Sequence, residues 1–159
     1  MLLSNNNILF DNSSQINILG GTNTTISSAE FDISNESTLT IGSKYNYQTT
    51  PINDSKISIS NNSSATLNTS APMQNSTVTI SNGSSITINN SWNQNNISYN
   101  ISGNSHVVIK GITNPTKIQI YIQDAKSSIS LFSGNSNGHT QLPLQTTITN
   151  PNNGTVIMN

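Results

Sequence analysis

The chain has no cysteine and no arginine, and only 7% of its 159 residues are charged. Without cysteine there is neither a disulfide framework nor a thiolate metal site, and the redox compartment stays open. Five lysines against six carboxylates give a net charge of −1, which supplies no basic footprint for nucleic acid or an anionic membrane. No apolar run approaches the length that spans a bilayer, so membrane insertion is not expected. The opening Met1-Leu-Leu-Ser-Asn-Asn-Asn7 has neither a basic n-region nor an apolar h-region, so no signal peptide is visible. Ordinary globular domains carry roughly 25% charged residues; here asparagine, serine and threonine stand in their place. Such a polar chain could be disordered, but its apolar residues are spaced too regularly for that.

What the chain does have is a repeat. Val78-Thr-Ile80-Ser-Asn82-Gly-Ser84-Ser-Ile86-Thr-Ile88 has the same pattern as Ile57 to Leu67, Tyr99 to Ile109, Phe31 to Ile41 and Ile8 to Ile18. A degenerate sixth copy is read from Ile118 and Ile120 to Ile129 and Leu131, with three extra residues in its turn. The copies start near 8, 31, 57, 78, 99 and 118. Each is two short alternating strands joined by a tight turn, and fixed-period self-similarity means a stacked solenoid. Four inward columns follow, headed by Ile8, Phe10, Ile16 and Ile18, and apolar in all six copies. A third, irregular segment between copies returns the chain one layer up. Its large residues Ile26, Tyr45, Tyr47, Met73, Trp92 and Ile112 are available to close the last wall. Six layers at ~4.8 Å make a rod on the order of 29 Å long.

The turn column reads Asn12, Asn35, Asn61, Asn82 and Gly103. Asparagine and glycine share tolerance of the left-handed backbone, so positive φ is predicted there. Ser14, Ser37, Ser63, Ser84 and Ser105 follow two residues later, placed to bond turn backbone or the next layer. With these columns the chain resembles the right-handed parallel β-helix of pectate lyases, phage tailspikes and autotransporter passenger domains, whose short turns often carry an asparagine ladder. The resemblance covers residues 8–131 and implies an all-β, single-stranded parallel β-helix of about six coils. The solenoid is assigned to 1–132, and 133–159 to an irregular C-terminal cap or assembly segment. The handedness comes from the resemblance alone, and such folds host both enzymes and adhesins.

Few residues suggest chemistry. Pectate lyases use an arginine base, which this chain lacks. Polygalacturonases need paired aspartates with Gly-His-Gly and Arg-Ile-Lys motifs, of which Gly138-His139 is a lone echo. Glu30 and Asp32 are the one carboxylate pair on a shared face, roughly 7 Å apart and within glycosidase range. Lys56 should stack over Glu30, so a surface ion pair is the simpler reading. His106 and Lys110 form no metal set, and no cofactor is implied. Asn-x-Ser/Thr sequons are numerous, and those at Asn12, Asn35, Asn61 and Asn82 are the turn and serine columns read together. If that ladder points inward they cannot carry sugar, which leaves Asn53, Asn75, Asn96 and Asn153 as the better glycosylation candidates. Thr38/Thr40, Ser64/Thr66 and Ser85/Thr87 echo an ice-binding array, which His106 and Val108 break.

Open solenoid ends expose core and unpaired backbone, so Ile8, Phe10, Ile16 and Ile18 are candidate assembly residues. The expectation is a non-enzymatic structural or attachment protein of a virion or cell surface: a fibre, spike, coat or adhesin subunit. It would act by self-association or by binding a glycan or another surface protein. The alternatives are a small tailspike-type depolymerase and an ice-binding solenoid.

Overall fold

The computed structural model describes residues 2–19, 25–42, 50–68, 72–89, 94–112, 116–133 and 146–158. Tyr45, Tyr47, Trp92 and His139 lie outside them. The described residues contain no helix. Each of the first four layers has three strands: β1 (Leu2–Ser4), β2 (Asn7–Phe10) and β3 (Gln15–Ile18), then β4 (Thr25–Ser27), β5 (Glu30–Ile33) and β6 (Thr38–Ile41). The third layer is β7 (Ile52–Asn53), β8 (Lys56–Ile59) and β9 (Ser64–Asn68), and the fourth is β10 (Met73–Gln74), β11 (Thr77–Ile80) and β12 (Ser85–Asn89). In the next two layers the first two strands run together, giving β13 (Gln94–Ile101) with β14 (His106–Ile112), and β15 (Thr116–Ile122) with β16 (Ser128–Ser133). A last layer adds β17 (Thr147–Thr149) and β18 (Thr155–Met158).

Every strand pairs in parallel with its counterpart one layer away. The chain is therefore an all-β parallel solenoid, with one wall seven strands deep and the other two joined into an 11-stranded sheet. β-branched isoleucine dominates the inward positions because it packs well on a pleated surface buried against its neighbours. No layer can bury its apolar side alone, so the core exists only between layers. Phe31, Ile33, Leu39, Ile41 and their equivalents through the sixth layer are buried, as are Ile26 and Met73 of the third wall. Ile112 is buried too, but it ends β14 in the seven-stranded wall, past a bulge, and not in the third wall where the sequence placed it. The Phe10 and Phe31 rings stack at 6.4 Å. Tyr99 is fully buried; its hydroxyl donates to Gln94 Oε1 at 2.8 Å, and burial pushes its ionisation well above the usual phenol range.

The sixth copy sits in a different register from the sequence assignment. Ile120 pairs with Tyr99 and Ile122 with Ile101, while Ile118 pairs with Ile97. The copy starts at 120, so its turn holds one extra residue rather than three. Ile118, Ile120 and Ile122 alternate identically, so periodicity alone could not choose among them. In consequence Gln119 stands beside Ser98, and Tyr121 takes the outward place beside Asn100.

The C-terminal extension is also more regular than its sequence. Ile148 lies over Ile120, Val156 over Ile129 and Met158 over Leu131. Two residues after Ile148, where lower layers carry an apolar side chain, stands Asn150. Its amide bonds both the carbonyl and the N–H of Gly154, at 2.6 and 2.7 Å. Gly154 is required, since a Cβ there would lie 2.2 Å from an Ile122 methyl.

The serine column is buried: Ser37, Ser63, Ser84, Ser105 and Ser127 are at most 1% exposed. Each hydroxyl oxygen accepts the backbone N–H of the serine one layer below, from Ser14 to Ser37 through Ser105 to Ser127, at 3.1–3.2 Å. At this corner the sheet ladder is interrupted, and the hydroxyl supplies the acceptor that a buried N–H needs. Ser84→Ala should therefore strand the Ser63 N–H and cost about 1–3 kcal/mol. Ser85→Ala, on the exposed face, should stay within about 0.5 kcal/mol; urea unfolding of both variants checks the difference.

Candidate functional site

The turn column lies on the outside of the rod. Asn12, Asn35, Asn61 and Asn82 are exposed with φ of 57°, 52°, 54° and 54°, and Gly103 has φ 64°. The residue after each is also left-handed: Ser13, Glu36, Asn62, Gly83 and Asn104. That second position mixes four residue types and left no signal in the sequence. Asn82 Nδ2 donates to Asn61 Oδ1 and Asn61 Nδ2 to Asn35 Oδ1, each at 3.1 Å. Asn35 Nδ2 donates to Asp11 Oδ1 at 2.5 Å. The amides thus form a one-way donor chain, and a carboxylate, which only accepts, ends it.

A second outer ladder runs along the corner before the first wall. Asn5, Ser28, Asp54, Asn75, Asn96 and Lys117 all have φ between 46° and 54°. Asn96 donates to Asn75 at 3.0 Å and Asn75 to Asp54 at 3.1 Å, again ending on a carboxylate. Serine, aspartate and lysine interrupt the asparagines, which is why sequence inspection missed it. Beneath it Ser55 and Ser76 repeat the buried hydroxyl device. The two ladders bear on the sequons. Asn75 and Asn96 spend their amides in the second ladder, Asn53 is half-buried in β7, and Asn153 is exposed in the β17–β18 turn. Interior burial does not separate these from Asn12, Asn35, Asn61 and Asn82.

Glu30, Lys56 and Asp32 lie on the first wall. Glu30 and Lys56 are register neighbours, and the ammonium donates to Glu30 Oε1 at 2.5 Å. That hydrogen bond, with the charge of the carboxylate, holds Lys56 above the usual ammonium range. The open depression beside them is lined by Glu30, Asp54, Lys56 and Asn75 among others, but not by Asp32. The two carboxylates therefore do not share one pocket. His106 Nδ1 lies 2.9 Å from Ser128 Oγ, and Lys110 is exposed beside Phe132. Among the described residues no three potential ligands cluster for a metal.

The outward positions of the seven-stranded wall run in register from Gln15/Asn17 through Thr38/Thr40, Ser64/Thr66, Ser85/Thr87, His106/Val108 and Ser128/Ser130 to Thr155/Ile157. The threonine-like stretch spans three layers. On the first wall a shallow hollow of about 210 Å³ is lined by Ser98, Asn100, Gln119, Tyr121, Thr147 and Thr149 around the backbone of Tyr99 and Ile120. Sequence reasoning did not single out Tyr121, because the mistaken register of the sixth copy put Gln119 in its place.

The end layers differ from the walls. Ile8, Ile16 and Ile18 are half-buried and Phe10 is 4% exposed. Leu9 and Leu19 are 68% and 73% exposed, and Ile148, Ile157 and Met158 are exposed at the opposite end.

Lys117 occupies a left-handed position, at φ 46°, that costs a β-carbon residue roughly 1–2 kcal/mol. Lys117→Asn should relieve part of this and offer an amide to Asn96, raising the melting temperature by about 2–4 °C, read by calorimetry. Acid should act on the turns. At Asp124 burial alone would raise the pKa, but hydrogen bonds from Ser127, Lys126 and Gly103 outweigh it and hold the carboxyl below its usual range. The amide of Asn35 and the backbone of Asn12 do the same for Asp11. A folded-state pKa below the unfolded value of ~3.9 contributes stability above that pH and loses it as pH falls through the folded value. Thermal stability should therefore drop below about pH 4, and less so in Asp124→Asn. Circular-dichroism melts from pH 6 to 2.5 check this.

In comparison with known proteins, no family model matches the chain, and no curated protein and no solved structure matches it.

Proposed function

We propose that this protein is a non-enzymatic structural or attachment subunit at an outer surface, of a virion or a cell, which works by assembling with further copies and presenting polar walls. The observation that carries this reading is where the exposed apolar side chains lie. Among the described residues, Leu9 and Leu19 belong to the first layer, Ile148, Ile157 and Met158 to the last, and Tyr121 alone stands on a wall between them. The two ends also match in spacing. Eight residues separate Ile148 from Val156, as they separate Ile8 from Ile16. A second copy stacked head to tail would lay β17 on β2 and β18 on β3, pairing edge strands that are otherwise open. Such a heterologous contact does not close on itself and leads to rods.

The charged groups support a non-catalytic role. Lys56 and Glu30 neutralise each other, while Asp11 and Asp124 hold turn backbone. Apart from Asp32, His106 and Lys110, the walls that remain are mainly rows of amides and hydroxyls, suited to contact with glycans or a polar partner.

Light scattering and negative-stain microscopy across a concentration series test the reading. The wild-type chain should lengthen into rods. Ile16→Lys should block one end and Met158→Lys the other, so that each variant alone stays monomeric while an equimolar mixture forms a heterodimer. A wild-type chain that stays at 17.0 kDa at all concentrations would sink the self-assembly proposal.

A further inference from the structure

We infer that the hollow around Tyr121 is a subsite for one uncharged sugar residue of a glycan, which deepens the attachment reading and rests on it. Six outward side chains form a grid of two columns and three layers: Ser98, Gln119 and Thr147 in one, Asn100, Tyr121 and Thr149 in the other. At ~4.8 Å between layers and roughly 7 Å between alternate residues, the grid is about 10 Å by 7 Å, the footprint of one pyranose ring and its hydroxyls.

Its chemistry is that of a carbohydrate platform. Among the described residues Tyr121 is the one Phe, Tyr or Trp side chain that stands exposed, at 38%. An aromatic face offers an apolar surface to the C–H side of a sugar, and its hydroxyl remains free to bond. Around it stand two amides and three hydroxyls, which both donate and accept, as the hydroxyls of a sugar do. Ser98 already donates to Gln119 Oε1 at 2.9 Å, which fixes the carbonyl side of that amide. A ring of placed polar groups about one apolar contact is the usual composition of a small-ligand site. Among the described residues no carboxylate or lysine lines the hollow, so it fits a neutral sugar rather than a uronate or sialic acid. The platform is also rigid, because its backbone is paired on both sides in β15.

The test is an array of immobilised neutral and acidic oligosaccharides, probed with the full chain. Wild-type protein should retain neutral glycans. Tyr121→Ala should weaken retention at least tenfold and Asn100→Ala several-fold, while Tyr121→Phe keeps most of it. Thr79→Ala, one layer below Asn100 on the same wall, should match wild type. Circular-dichroism melts establish that each variant is folded. Neutral-glycan retention unchanged in Tyr121→Ala would overturn the subsite while leaving an attachment role in place. Retention of acidic glycans only, or of none, would overturn the ligand class. The concentration series above reads assembly separately, so the two failures are distinguishable.

Discussion

The structure depends on one constraint: no layer of this chain has a core of its own. A coil of about twenty residues puts four or five apolar side chains on its inner side, too few to offset the entropy of ordering it. Only a neighbour at ~4.8 Å covers them. Parallel, one-to-one register is the way to satisfy this at every layer, and it brings like residues into line. Serine then falls on serine and asparagine on asparagine, so each corner becomes a ladder. The buried hydroxyls supply acceptors where the backbone turns, and the outer amides tie the turns together from the solvent side.

Both outer ladders donate in one direction and end on an aspartate, Asp11 in one and Asp54 in the other. A column of amides needs an acceptor at its terminus, and a carboxylate fills that place without an unused donor. Asp124 performs a related task at the wider sixth turn, where it gathers Gly103, Lys126 and Ser127. Half of the six acidic residues are thus spent on turn geometry. What reaches solvent from the walls is mainly uncharged, which gives the rod a surface that changes little with pH and presents hydrogen-bonding groups at a regular pitch.

The two ends break this regularity differently. At the first layer the apolar columns run out with Ile8, Ile16 and Ile18 only half covered. At the last layer Asn150 interrupts one column with a polar group that binds the Gly154 backbone, while Val156 and Met158 continue two others. One end is thus open core, and the other is partly closed.

The amino-acid sequence by itself determined the solenoid. Alternating Ile-x-Ile pairs, eight residues from one strand to the next, leave no other way to bury the apolar residues, and the asparagine column marks the turns because few other residues accept that backbone. It did not determine the register of the sixth layer, since Ile118, Ile120 and Ile122 satisfy the same alternation. Nor did it show the second amide ladder, whose column mixes Asn5, Ser28, Asp54 and Lys117, or the regular pairing of residues 147–158. These features were decided by contacts between layers. The pairing of Tyr99 with Ile120 places Tyr121 beside Asn100 on the wall, and that juxtaposition depends on residues 21 positions apart meeting across a strand, which no local pattern specifies.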